Sequence, residues 1–120
     1  MNVGDTYRLT YVVTDKDTAC AYGSGGLQVY ATPAMISLME KTAYTYAAEK
    51  ESQTVGTKVD INHLRATKVG TEVYSTAELT GIEGRKLTFK VSVSDANGLL
   101  GEGLHERFVI DPERFMAKLG

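Results

Sequence analysis

From Thr6 to Val13 the chain alternates: Tyr7, Leu9, Tyr11 and Val13 fall on one side, Thr6, Arg8, Thr10 and Val12 on the other. A period of two predicts a strand with one covered face. A loop follows and ends in Gly23-Ser24-Gly25-Gly26, where glycine permits tight turning. Leu27 to Tyr30 reads as a short extended approach to a helix. From Pro33 to about Lys50 the period lengthens. At about 100° per residue, Met35, Ile36, Met39, Ala43, Tyr46 and Ala47 form one stripe, which predicts an amphipathic helix. Thr32 is the expected N-cap, because its hydroxyl can accept from an early backbone N–H, and Pro33 suits the first helical position.

After the helix the chain reads as β. Strands are expected over residues 57–66, 72–80, 86–94 and 102–110. The third is clearest, with Leu87, Phe89, Val91 and Val93 alternating with Lys86, Thr88, Lys90, Ser92 and Ser94. Glu83-Gly84 and Asp95-Ala96-Asn97-Gly98 are hairpin signals. Gly103, inside the last strand, suggests a bulge or a close backbone approach. Asp111-Pro112 ends that strand, and a short terminal helix or tail follows. One early strand, one long helix and four later strands predict a single α+β domain over residues 1–120. Its long helix would be wrapped by a curled antiparallel sheet of about five strands.

Composition narrows the function. The 120 residues carry a formal net charge of −2 and no Lys/Arg run, which argues against nucleic acid as a partner. Cys20 is the only cysteine, so no intrachain disulfide can form and a reducing compartment is expected. No signal-peptide pattern opens the chain and no apolar run approaches a membrane span. A cytoplasmic protein without a membrane partner is the expectation. With only His63 and His105, and no H-x-E or H-x3-H spacing, neither a metal site nor a metal cofactor is expected. The glycine loop lacks a following Lys-Ser/Thr, so it is no phosphate-binding loop of the Walker type.

Three residues could carry chemistry. Glu40 lies at the edge of the helical stripe. There it is either a solvated surface glutamate or a partly desolvated nucleophile or base, whose pKa burial would raise. His63 shares a strand face with Val59, Ile61 and Arg65, and is either a hydrogen-bonded structural histidine or a general base. Thr32 is an N-cap or a third member of the set. Eight residues of helix rise about 12 Å. Thr32 and Glu40 can therefore meet only if the chain leaves the helix axis at Thr32 or if two subunits share a site.

Three segments then carry a resemblance: Thr32 to Glu40, ending Leu38-Met39-Glu40; Gly56-Thr57-Lys58-Val59-Asp60-Ile61-Asn62-His63; and Gly101-Glu102-Gly103-Leu104-His105-Glu106-Arg107-Phe108-Val109-Ile110. In order and without large gaps, they resemble the fluoroacetyl-CoA-thioesterase-like group of the hotdog superfamily. The resemblance implies a hotdog fold, a homodimer with active sites at its interface, and hydrolysis of a small acyl-CoA. It implies Thr32, Glu40 and His63 as catalytic residues, with Gly56 and Arg107 contacting substrate. The stretch from Cys20 to Tyr30 is shorter and richer in glycine than the family's aromatic lid and has no phenylalanine. Selectivity for a fluorinated acyl group is therefore not carried over. Two other classes stay open: a hotdog hydratase or dehydratase acting on acyl thioesters, and a non-catalytic acyl-CoA binding module.

Overall fold

The computed structural model describes residues 1–120. Five strands form one antiparallel sheet: β1 (Thr6–Val12), β2 (Thr54–His63), β3 (Glu72–Glu83), β4 (Lys86–Asp95) and β5 (Gly98–Val109), in the spatial order β1-β3-β4-β5-β2. The helices are α1 (Ala19–Tyr22), α2 (Thr32–Glu49) and α3 (Pro112–Ala117). The long helix α2 touches both edge strands, β1 and β2, as well as β3 and β4. One helix can reach both edges only if the sheet curls around it, which is the architecture expected from the chain's periodicity.

The core forms where the two periods meet. Val73, Ala77, Leu79, Leu87, Phe89, Val91 and Val93 line the inner face of the sheet, and Met35, Met39, Ala43, Tyr46 and Ala47 come from α2. The buried stripe of α2 is wider than expected and also takes in Ala34, Leu38 and Thr42. Ile36 is only half-buried. Thr42 is tolerated there because its hydroxyl donates to the Leu38 carbonyl (2.7 Å) and meets Ser75 Oγ (2.7 Å). Truncating a core side chain such as Leu79, which is fully buried, costs about 2–5 kcal/mol.

Several details depart from the sequence reading. Helix α2 starts one residue early: Ala31 is the N-cap, without a side-chain hydrogen bond, and Thr32 is already helical. The cause is backbone pairing, because Ala31 N–H donates to Asp17 O (2.8 Å) and Met35 N–H to Ala31 O (3.0 Å). The Thr32 hydroxyl is thereby free for other work. The stretch between β1 and α2 is not a bare loop. It holds a 3₁₀ turn at Asp15–Asp17 and α1, capped by Thr18 Oγ1 accepting from Ala21 N–H (3.1 Å). Isolated bridges from Thr18 to Tyr30 and from Val29 to Lys68 tie that stretch down. Strand β2 runs from Thr54, three residues earlier than expected, and ends at His63. Gly103 is a close approach rather than a bulge: an added Cβ would stand 2.0 Å from the Asp60 carbonyl oxygen of β2.

No helix is long and apolar enough to cross a membrane, and no group of three or more His, Cys, Asp or Glu side chains is arranged to hold a metal ion.

Candidate active site

The chemistry-bearing residues gather in two places, at opposite halves of the α2–β2 contact. The first is at the start of α2. Thr32 Oγ1 lies 2.8 Å from His63 Nδ1, joining the first turn of the helix to the last residue of β2. The other ring nitrogen, Nε2, is out of contact with solvent and makes no hydrogen bond within the chain. Burial pulls the His63 pKa below the usual imidazole value, and a backbone hydrogen bond at Arg65 partly opposes this. His63 is therefore neutral near pH 7, the state a general base requires. A cleft of about 320 Å³ opens here, lined by Thr32 and His63 together with Tyr30, Ala31, Val29 and Ala19.

The second place is two turns further along α2. Glu40 Oε2 lies 3.7 Å from Arg107 Nη1. The Glu40 side chain is 44% exposed, so it is more open than its place beside the apolar stripe suggested, whereas Arg107 is only 6% exposed. The Arg107 guanidinium is held on several sides. Its Nε donates to Thr54 Oγ1 (2.8 Å), its Nη2 to the Thr54 carbonyl (3.1 Å) and its Nη1 to His105 Nε2 (3.1 Å). The Tyr44 ring covers it at 5.8 Å. Burial lowers the Arg107 pKa, and the Glu40 carboxylate pulls the other way. Glu106, the other acid within reach by sequence, turns to the opposite face and pairs with Lys86 (3.7 Å).

Gly56 belongs to this second place. A Cβ at Gly56 would sit 2.9 Å from Glu40 Oε2 and 3.2 Å from both Arg107 Nη1 and His105 Cε1. Glycine is what lets the carboxylate and the guanidinium face the edge of the sheet. Gly56 and His63 are seven apart, so strict alternation would set them on opposite faces. The register between β2 and β5 shifts between Gly56 and Lys58, a bulge at Thr57, and that extra residue turns Gly56 to the helix side with Val59, Ile61 and His63.

The structure thus joins Thr32 to His63, and Glu40 to Gly56 and Arg107, but it does not join the two groups within one chain. With Thr32 inside α2, the helix is continuous from Thr32 to Glu40, and a departure from its axis no longer offers a way to bring them together. One residue of the second group was missed. His105 is 1% exposed and donates from Nδ1 to the Lys58 carbonyl (2.8 Å). The signal was its i, i+2 spacing from Arg107, which puts both side chains on one strand face.

Known proteins are similar to this chain in sequence and in fold. The family model of fluoroacetyl-CoA-specific thioesterases matches residues 13–113. A fluoroacetyl-CoA thioesterase from Streptantibioticus cattleyicolor is 40% identical over 95 residues, covering 77% of this chain and 68% of that protein. The solved structure of a threonine-to-serine variant of the fluoroacetyl-CoA thioesterase FlK, in complex with acetyl-CoA, superposes with a TM-score of 0.92 at 33% identity over 99% of this chain and 96% of that one. A hot-dog-like protein from Thermanaerovibrio acidaminovorans matches with a TM-score of 0.90 at 21% identity, over 99% of this chain and 90% of that one, a likeness of fold alone. The helix wrapped by five antiparallel strands is a hotdog fold, and the chain belongs to the fluoroacetyl-CoA-specific thioesterase family.

Proposed function

We propose that this protein is an acyl-CoA thioesterase that hydrolyses a small acyl thioester to the free acid and CoA. The observation that carries the reading is the Thr32–His63 contact, a hydroxyl and a neutral imidazole brought together at the floor of an open cleft. Family membership supports it, as does the acetyl-CoA held by the solved relative.

Hydrolysis forms a bond from a water oxygen to the acyl carbon, breaks the C–S bond and delivers a proton to the departing thiolate. In this reading His63 is the general base, Thr32 orients its ring, and Glu40 is either the attacking carboxylate or the group that orients the nucleophile. Backbone N–H groups at the start of α2 meet the developing oxyanion, where the helix dipole favours negative charge. Arg107 is too buried to serve as a free-standing phosphate clamp, and we assign it to holding Glu40.

The two groups come together if the protein works as a homodimer. Glu40 stands about 12 Å along α2 from Thr32, so the carboxylate that joins Thr32 and His63 belongs to a second copy. β2 supports this arrangement. It is an edge strand whose residues from Thr57 to Asp60 are all exposed, and it presents Val59, 43% exposed, on the helix face. An open, partly apolar edge of this length is an invitation to pair with another strand. The exposed lone thiol of Cys20 fits a reducing compartment, and we place the enzyme in the cytoplasm. Acyl-CoA is its substrate, and no resident cofactor enters the mechanism.

A panel of acyl-CoAs with short, branched, aromatic and long acyl groups, read by thiol release, tests the reading. Release from at least one of them is expected. Water addition to an enoyl-CoA without thiol release would replace the proposal with a hydratase, and binding without turnover would replace it with a binding module.

A further inference from the structure

His105 is used by no step above, yet it is buried and each of its two ring nitrogens has a partner. A carbonyl oxygen can only accept, so the 2.8 Å contact with Lys58 O puts the proton on Nδ1. A guanidinium can only donate, so the 3.1 Å contact with Arg107 Nη1 requires a bare lone pair on Nε2. Both contacts are made only by the neutral Nδ1–H tautomer. A second proton would set an imidazolium N–H against a guanidinium N–H inside the core.

Arg107 has five N–H groups. One goes to His105, one to Thr54 Oγ1 and one to the Thr54 carbonyl. The second N–H on Nη1 is the one nearest Glu40, and its direction depends on where the first points. The two Thr54 bonds hold the Nε–Nη2 edge of the guanidinium, and His105 holds the Nη1 end, which faces the carboxylate.

We propose that neutral His105 is a positioning residue: its Nε2 lone pair holds the Arg107 guanidinium in the orientation that addresses Glu40, and protonation of that nitrogen releases the clamp. The charged groups around the imidazole are few. Arg107 and Glu106 lie on its own strand and Glu40 on α2; β2 presents the Lys58 carbonyl, and β4 the Phe89 ring at 6.5 Å. Burial and Arg107 both disfavour the imidazolium, while the Lys58 hydrogen bond and the two carboxylates favour it, with burial the largest influence. The clamp is therefore closed at neutral pH and opens in acid. This deepens the thioesterase reading and rests on it for any effect on rate, but not for the behaviour of the clamp itself.

The test follows the side-chain nitrogens of Arg107 and His105 by NMR in the full chain from about pH 8 to about pH 4.5, across the ordinary imidazole range. The variants are His105→Gln, whose amide oxygen can still accept from Arg107 but does not titrate, and His105→Phe, which keeps the ring shape without the lone pair. Expected at neutral pH are the Nδ1–H tautomer and separately resolved Arg107 Nη resonances, which merge as His105 protonates. In His105→Gln they stay resolved throughout, and in His105→Phe they are merged at every pH. With a turned-over acyl-CoA, kcat falls by about tenfold in His105→Phe with KM little changed, is largely restored in His105→Gln, and loses one acid ionisation there. An Nε2–H tautomer, Arg107 resonances indifferent to His105 protonation, or a His105→Gln enzyme with an unaltered acid limb overturns the proposal. Should His105→Phe fail to fold, the pH series of wild type against His105→Gln decides. A clamp that behaves as described in a protein that releases no thiol from any thioester sinks the thioesterase reading and leaves the clamp standing.

Discussion

The two ends of the α2–β2 contact are built on opposite plans. At the start of the helix, Thr32 and His63 make one hydrogen bond to each other, and the remaining imidazole nitrogen has no partner in the chain. Further along, Arg107 is fastened by three hydrogen bonds and one aromatic ring, and Glu40 is set against it at a glycine. The first place holds its imidazole by a single side-chain hydrogen bond. The second turns three donors to Thr54 and His105 and sets the guanidinium 3.7 Å from a single carboxylate. Buried polar groups that are satisfied make a rigid support, while an unsatisfied one calls for an explanation, which for His63 the proposed function supplies as a catalytic role. One end is sparse and the other wired, and the proposed mechanism draws on both, taking His63 from the first and Glu40 from the second.

The largest expected effect comes from removing the two groups the proposal makes reactive, one from each end. Glu40→Gln and His63→Ala are each expected to lower kcat by at least about a hundredfold, the scale of a positioned base or charge. Steady-state rates on the best acyl-CoA of the panel decide it, and unaltered hydrolysis in both variants removes the mechanism. Next comes Gly56→Ala. Its methyl group would stand 2.9 Å from Glu40 Oε2, so the carboxylate must move. A loss of about tenfold or more in kcat is expected, as for other small misplacements of a catalytic group, while circular dichroism should report an intact fold. Arg107→Lys sharpens the wired end. Lysine cannot reproduce the fork that meets Thr54 and His105, and the buried acceptors left unpaired should cost about 1–3 kcal/mol in denaturant unfolding. An equally stable variant would mean that the wiring is ornamental.

A smaller effect separates dimer from monomer. Val59→Asp puts a charge on the exposed helix face of β2, and light scattering should show a smaller particle than the homodimer proposed for the wild type, with activity falling in step. The smallest effect is in pH. Burial lowers the pKa of both His63 and His105, so below about pH 6.5 the unfolded chain binds protons that the native protein resists. Native stability is therefore full above that value and falls as the pH drops through the lowered folded pKa values. Urea midpoints measured between about pH 7.5 and pH 5 should decline towards acid, and His105→Gln should flatten part of the slope.

Much of the fold was legible because its signals are local. Alternation from Leu87 to Val93 and the stripe from Met35 to Ala47 mark a sheet face and a helix face without any knowledge of the partner surface. The hairpin signals at Glu83-Gly84 and Asp95–Gly98 lie where β3 turns into β4 and β4 into β5. The misses have a common cause in tertiary contact. Thr32 looked like a cap, but Asp17 supplies the backbone anchor that moves the helix start to Ala31. Residues 15–22 looked like a loop because a three-residue turn and a four-residue helix are too short to show a period. The separation of Glu40 from Thr32 followed from helix rise alone, whereas the part of His105 depends on Arg107 and Lys58, which only the folded sheet brings to it.

The extra residue at Thr57 has a consequence for the gene as well as for the protein. A one-codon deletion there would keep the reading frame and nearly all of the apolar pattern, and the strand could still form. With Thr57 gone, Gly56 and His63 would stand six apart, so plain alternation would keep both on the helix side and Gly56 opposite Arg107. What the bulge adds is local twist at the edge of the sheet, so a gap at this one position should be borne by the strand while straightening the bulge with Thr57 in place would turn Gly56 to the outer face.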